Sequence, residues 1–331
     1  MRKTVLWISI LLLAGAAGAA KGRAFGSPIA RGMYPRAGAA ELDPQTKPAA
    51  TSASEKAPLK VFISVDMEGI WGVVHSEQVA SDSRDYSYAR KWMAEDVNAV
   101  IAGLLEAGAT EVVVNDSHGG MRNILPQDFH PKASLISGSP KPLLMMQGID
   151  PSFAACIFVG YHAQAGTAAA ILDHTISSGT VRAIRINGLE LPELGINAAI
   201  AGYYKVPVIM LSGDTATCRQ AKTILGNEIV TAEVKEAIGR FAAKLVPQDE
   251  ARKRLKDAAR EALLKRDKVP VFKLNPPLNF ELDFLNSAQA EMPLLLPAVK
   301  RNGGRGVAFS SGDYIEGVKL LRAIIALAGV Q

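Results

Sequence analysis

Four short runs of almost wholly apolar residues limit what this chain can become: LKVFISV (59–65), EVVVN (111–115), CIFVGY (156–161) and VPVIML (206–211). A strand that is apolar on both faces must be covered on both faces. That requirement points to a mainly parallel sheet between two helical layers, not to an antiparallel sheet with one wet side. The intervening sequence agrees. Residues 87–107 place Trp92, Met93, Val97, Val100, Ile101, Leu104 and Leu105 at helical spacing, with Gly108 as a stop. LPELGINAAIAGYY (191–204) reads as a helix with proline at its start, and VRAIRIN (181–187) alternates like a strand with one solvated face. The expected fold class is therefore α/β, a mainly parallel sheet with helices on both faces.

The pattern changes after about residue 225. An amphipathic helix is expected over 232–245 and a charge-dense helix over 247–267. Short strands come next, near 268–273 and 278–283, then a turn at Asn302-Gly303-Gly304, a strand at 305–310 and a helix over 312–328. This predicts an α/β domain over 58–225 and a smaller C-terminal α+β domain over 226–331.

At 331 residues the chain can bury a sizeable core. Its net charge of +5 lies entirely in residues 1–56, so the remainder is neutral and carries no basic stripe. No nucleic-acid partner is expected. Residues 1–20 run from Arg2 and Lys3 through an apolar stretch, Val5 to Leu13, to a small-residue tract, Ala14 to Ala20. This is the layout of a secretory signal peptide cut near Ala19 or Ala20. The apolar stretch is short of the roughly 20 residues of a membrane span, so no stable membrane anchor is expected. Residues 21–57, rich in Ala, Gly, Pro and Ser, read as a flexible linker. The protein is expected to be exported, periplasmic or secreted. Two cysteines, Cys156 and Cys218, do not make a disulfide framework, and a single bridge between them stays open.

No phosphate-cradling loop, dinucleotide fingerprint or nucleophile elbow is present. Metal-capable residues instead gather where strands end. Asp66 and Glu68 come after the first strand, Asn115, Asp116 and His118 after the second, and His162 after the third. Ligands of open parallel sheets bind at the carboxyl ends of the strands, so one edge receives carboxylates and imidazoles together. Glu193 is a fourth source. Such a mixed donor set suits Zn²⁺ better than Mg²⁺ or Ca²⁺. It exceeds the needs of one catalytic zinc, and two ions roughly 3.5–4 Å apart sharing a carboxylate would use it all. Each residue taken alone also has a structural reading, as a turn, cap or hydrogen-bonded core residue. Asp214 could cap the next helix or touch substrate. His174, in ILDHT, could be an exposed loop histidine or an acid, base or nucleophile carried over the site. His75 and His130 read as structural or exposed.

The motifs SVDMEGIWG, VNDSHGGM, LISGSPKPLLMMQGID, FVGYHAQAGT, LDHT and PELGINAAIAGYYKVPVIMLSGD resemble the zinc-dependent D-aminopeptidase family known from a dipeptide-transport operon. The similarity runs from about Lys60 to the C-terminal helix and is densest between residues 60 and 240. The resemblance implies a two-domain subunit in a large homo-oligomer, with two zinc ions per subunit. The implied activity is release of N-terminal D-amino acids, D-alanine especially, from short peptides. Carried over motif by motif, it puts zinc ligands at Asp66, Glu68, His118, His162 and Glu193, and the catalytic histidine at His174. The stretch between His162 and His174 is one residue longer than the family pattern and richer in alanine. Two alternatives remain from the sequence: a two-metal hydrolase of another amide, an ester or a phosphodiester, with Arg122 the obvious phosphate partner, and a non-catalytic exported solute-binding protein.

Overall fold

The computed structural model describes residues 58–330, so the expected signal peptide and linker lie outside the described residues. Strand β1 (Lys60–Val65) leads through a helical turn, α1 (Ser76–Val79), and a long helix, α2 (Tyr86–Glu106), to β2 (Glu111–Asp116), β3 (Ser134–Ile136) and β4 (Ala155–Val159). The chain then crosses to a second sheet for β5 (Val181–Ile186) and β6 (Leu189–Glu190) and returns through α3 (Glu193–Tyr203) to β7 (Val208–Asp214). Helix α4 (Thr215–Leu225), β8 (Val230–Gly239), β9 (Ala242–Leu245) and α5 (Gln248–Leu264) come next. The last elements are β10 (Leu278–Phe284), β11 (Lys300–Asn302), β12 (Gly306–Ser311) and α6 (Tyr314–Ala328).

The first sheet has the order β3-β2-β1-β4-β7-β8-β9, parallel throughout except for the antiparallel edge pair β8–β9. The second, β11-β12-β10-β5-β6, is antiparallel throughout. The double-sided burial read from the apolar runs is visible along β1. Val61, Ile63 and Val65 join one core with Met93, Val97 and Ile101 of α2 and Leu255 and Ala259 of α5. Phe62 joins the other, which contains α3, α4, the second sheet and α6. Burying each such side chain contributes about 1.5–3 kcal/mol. The antiparallel sheet has its own stacked pair, Phe280 on Phe309, with ring centroids 4.6 Å apart.

Three expectations are corrected. Residues 232–245 form the β8–β9 hairpin, not a helix. Val230, Val234, Ile238, Phe241 and Leu245 fall at helical spacing, but the hairpin leaves Ile238 of β8 and Phe241 of its turn exposed while the backbone of β8 pairs with β7. Residues 268–273 contain no strand. Sheet membership also does not change at residue 225: β8, β9 and α5 belong with the first sheet, whereas β5 and β6 belong to the second. The described residues make one compact unit.

The loops leaving β1 and β4 carry chemistry-bearing side chains, and they approach backbone to backbone. The Asp66 N–H donates to the Val159 carbonyl and the Gly69 N–H to the Gly160 carbonyl, both at 2.8 Å. A Cβ on Gly69 would stand 1.9 Å from the Tyr161 carbonyl oxygen, and one on Gly160, where φ is +67°, would stand 2.4 Å from the Asp66 carbonyl oxygen. Glycine is required at both positions for the loops to meet. Gly69→Ala should therefore destabilise the protein by about 1–3 kcal/mol, the cost of overpacking, seen as a lower urea midpoint. Gly179→Ala, with open space around its Cβ, serves as the control, and equal midpoints for the two variants would refute the close-approach argument.

Candidate metal centre

All six expected site residues converge. Asp66 and Glu68 leave β1, His118 lies just past β2, His162 just past β4, and Glu193 opens α3, where the helix N-terminus favours a negative charge. His174 arrives on the loop between β4 and β5. Asp66, Glu68, His162 and Glu193 are buried, and the side chains of His118 and His174 are 13% and 16% exposed.

The hydrogen bonds assign the tautomers, and the three imidazoles obey one rule. His118 donates Nε2–H to the Val79 carbonyl at 2.9 Å, which turns Nδ1 toward Asp66 Oδ1 at 3.2 Å and Glu68 Oε2 at 3.0 Å. His162 donates Nδ1–H to its neighbour's carbonyl at Ala163, 3.1 Å away. Its Nε2 lies 3.5 Å from Asp66 Oδ2 and 3.2 Å from Glu193 Oε1, yet forms no hydrogen bond. His174 donates Nδ1–H to the Leu172 carbonyl at 2.8 Å, with Nε2 3.6 Å from Glu193 Oε1. The rings of His162 and His174 stack with centroids 3.9 Å apart. Each imidazole thus has one nitrogen tied to a backbone carbonyl and the other turned to carboxylate oxygen, the arrangement of a metal-ligating histidine.

Lone pairs facing carboxylates repel unless positive charge lies among them. Protons are one source. Burial and the Glu68 charge push the Asp66 carboxyl up to about 7. Burial opposes charge on both His118 and His162, but Glu68 drives the first well above the imidazole range and Glu193 drives the second up to about 10. Burial and the charge on His162 hold His174 below its ordinary value. Divalent cations are the other source. The donors fall into two sets, Asp66, Glu68 and His162 on one hand and His162, His174 and Glu193 on the other, with the atoms of each set within 4.8 Å of one another. Asp66 offers one oxygen toward His118 and the other toward His162. The buried, partnerless His162 Nε2 and this nitrogen-and-oxygen donor set fit Zn²⁺. Because ions would displace protons, occupancy would fall with acid.

The loop bearing His174 is held under strain. Ala169, Leu172 and Ile176 adopt φ values of 49°, 50° and 62°, a region rarely tolerated by non-glycine residues and least by β-branched ones. Ile176 is fixed because its N–H donates to Glu193 Oε1, and Ile171 because its N–H donates to Asp214 Oδ2 at 2.7 Å. Asp214 therefore caps α4, accepting from Thr217, and steadies this loop. Strain concentrated where groups must be held in place is common at active sites.

Other expectations resolve simply. His75 caps α1 and His130 accepts from the Lys132 N–H, away from the cluster. Asn115 and Asp116 are structural: Asn115 binds the Leu144 carbonyl, and Asp116 accepts from the backbone of Asn123 and Ile124. Cys156 and Cys218 are free and buried. Arg122 is exposed and does not line the cavity onto which the cluster opens.

Two residues have no counterpart among the sequence expectations. Lys235 of β8 is fully buried, and its ammonium donates to the carbonyls of Glu68, Ile70 and Val73 at 2.6, 2.8 and 2.5 Å. It clamps the loop carrying Asp66 and Glu68, and burial draws its pKa down to about 7. On a helix, Lys235 would be one more solvated charge. The second is Arg322 of α6. It lines the same cavity of about 520 Å³ as Asp66, Glu68, His118, His174 and Glu193.

Comparison with known proteins gives a consistent result. Residues 59–323 match a peptidase family, M55, described as D-aminopeptidase. The chain is 38% identical over 273 residues to a D-aminopeptidase of Bacillus subtilis (strain 168), covering 82% of this chain and 98% of the relative. It is similar to the solved structure of the Zn-dependent D-aminopeptidase DppA from Bacillus subtilis, described as a self-compartmentalizing protease. The TM-score is 0.80 at 37% identity, over 82% of this chain and 99% of that one.

Proposed function

The chain belongs to the M55 family of D-aminopeptidases, and on that premise we propose that it is an exported zinc peptidase. It holds two zinc ions per subunit and releases N-terminal D-amino acids, D-alanine among them, from short peptides. The observation that carries this reading is the set of three imidazole nitrogens turned on three buried carboxylates, with the two oxygens of Asp66 facing different histidines. Asp66 is the natural shared ligand. Glu68 and His118 hold one side of the site, His162 and Glu193 the other.

When bound, a pair of zinc ions supplies Lewis-acid polarisation of the scissile carbonyl and positive charge for the transition state. The chain's own groups do the rest. His174, with Nδ1–H committed to the Leu172 carbonyl, has Nε2 free to take a proton and return it to the leaving amine. Its depressed pKa keeps that nitrogen unprotonated near neutrality. Leu143, Met145 and Ile200 form an apolar part of the cavity wall beside the reacting centre, where a bound peptide would displace water.

Zinc dependence and compartmentalisation are properties stated for the Bacillus subtilis relative; carried here, they support a large homo-oligomer. Exposed Ile238 and Phe241 on the β8–β9 hairpin are the kind of side chain a subunit contact covers. Export would bring the enzyme to D-alanine-containing fragments of the cell wall.

Elemental analysis of purified protein should find about two zinc ions per chain, in keeping with a two-metal site, and alanine should be released from D-alanyl but not L-alanyl dipeptides. Asp66→Ala should lose metal and turnover together. Full activity in metal-free Asp66→Ala protein would overturn the site.

His174→Ala should keep zinc content and thermal midpoint near wild type while kcat falls by roughly 10²–10⁴. Loss of zinc together with activity would make His174 a ligand instead, and little loss of either would return it to an ordinary loop residue. For export, sequencing of the mature protein should begin near Lys21, and an intact Met1 on membrane-bound protein would argue for an anchor.

A further inference from the structure

The cavity onto which the metal donors open has apolar side chains from the segment around Met145 and from α3 and α6 beside uncharged polar ones such as Ser117, Ser177 and Asn197. Arg322 is the only lysine or arginine among its lining residues. The guanidinium is anchored, since Nη1 donates to the Lys141 carbonyl oxygen. Lys141 is itself buried, with its ammonium on Asn115 Oδ1 at 2.5 Å and the Asp116 carbonyl at 2.6 Å. Arg322 forms no ion pair among the described residues. A held cation without a carboxylate partner, facing a largely apolar cavity shared with the reacting groups, is arranged for an anion delivered by the ligand.

A short peptide supplies one. With its first peptide bond at the metal donors, an extended dipeptide or tripeptide carries a C-terminal carboxylate only one or two residues further on, at about 3.3–3.6 Å per residue. Away from bulk water that carboxylate is costly to bury unless it meets a cation or several donors, and a guanidinium meets it with two parallel hydrogen bonds. The volume of about 520 Å³ lies within the range of small-ligand sites. A long polypeptide presents no C-terminal carboxylate at that distance.

We propose that Arg322 binds the C-terminal carboxylate of the substrate and so restricts the enzyme to short peptides with a free C-terminus. This deepens, and rests on, the aminopeptidase reading.

The test compares D-alanyl-D-alanine with D-alanyl-D-alanine amide on wild type, Arg322→Gln and Arg322→Lys, each with its zinc content and thermal midpoint measured. Wild type should prefer the free acid. In Arg322→Gln the ratio of kcat/KM for free acid over amide should fall by roughly 10–100-fold, as loss of a charge-assisted bond predicts, with the change in KM for the free acid. Arg322→Lys, which retains a point charge without the planar fork, should keep an intermediate ratio. Equal loss on both substrates, or a wild type indifferent to the free carboxylate, would overturn the assignment. A wild type that hydrolyses neither substrate would overturn the aminopeptidase reading itself, and the role of Arg322 with it.

Discussion

Three buried carboxylates and three imidazoles, one buried and two largely so, lie within a few ångströms of one another, and their mutual repulsion is the constraint around which the structure is arranged. An isolated buried carboxylate is too costly to keep ionised. The cluster is compatible with folding because positive charge is available to it, from protons on His118 and His162 or from divalent cations. The backbone carbonyls of Val79, Ala163 and Leu172 choose between ring nitrogens and keep one lone pair per ring aimed inward. Orientation of this kind is cheap: one hydrogen bond settles a tautomer and a ring direction together.

The scaffold is built to hold that geometry. Lys235 satisfies three carbonyls of the loop after β1, and so ties the donors on one strand end to a strand three positions away in the sheet. Gly69 and Gly160 let the neighbouring strand-end loops touch without side chains between them. The strained loop carrying His174 is pinned through Ile176 to Glu193 and through Ile171 to Asp214. These devices lie on elements far apart in sequence, and each acts on backbone groups, which move less than side chains do.

The layer built on the second sheet reaches the site through its helix α6. Helix α3, which provides Glu193, lies against both layers, and α6 contributes Leu321 and Arg322 to the cavity wall. The metal donors come from the strand ends of the parallel sheet, whereas part of the wall that would choose a substrate comes from the antiparallel half.

Much of this was legible in the residues. Continuous apolar runs required a sheet covered on both faces, and parallel strands deliver their outgoing loops to one edge. Asp66, Glu68, His118 and His162 were therefore bound to be neighbours once the strands paired. Glu193 was offered by its place at the start of the 191–204 helix, and the family motifs added His174, whose meeting with the others depends on a long loop. The tertiary structure alone decided the rest. Val230, Val234, Ile238, Phe241 and Leu245 satisfy a helical period, and only the open edge of β7 makes their segment a hairpin, because its unpaired backbone groups gain partners that a helix would not supply. That pairing also takes Lys235 from a solvated surface to the interior. Arg322 has no local signal at all: a basic residue on an amphipathic helix looks solvated until another layer closes over it. Periodicity determined which residues are buried and which strand ends carry chemistry; which distant polar groups share a cavity was decided by packing, because that depends on contacts no local pattern encodes.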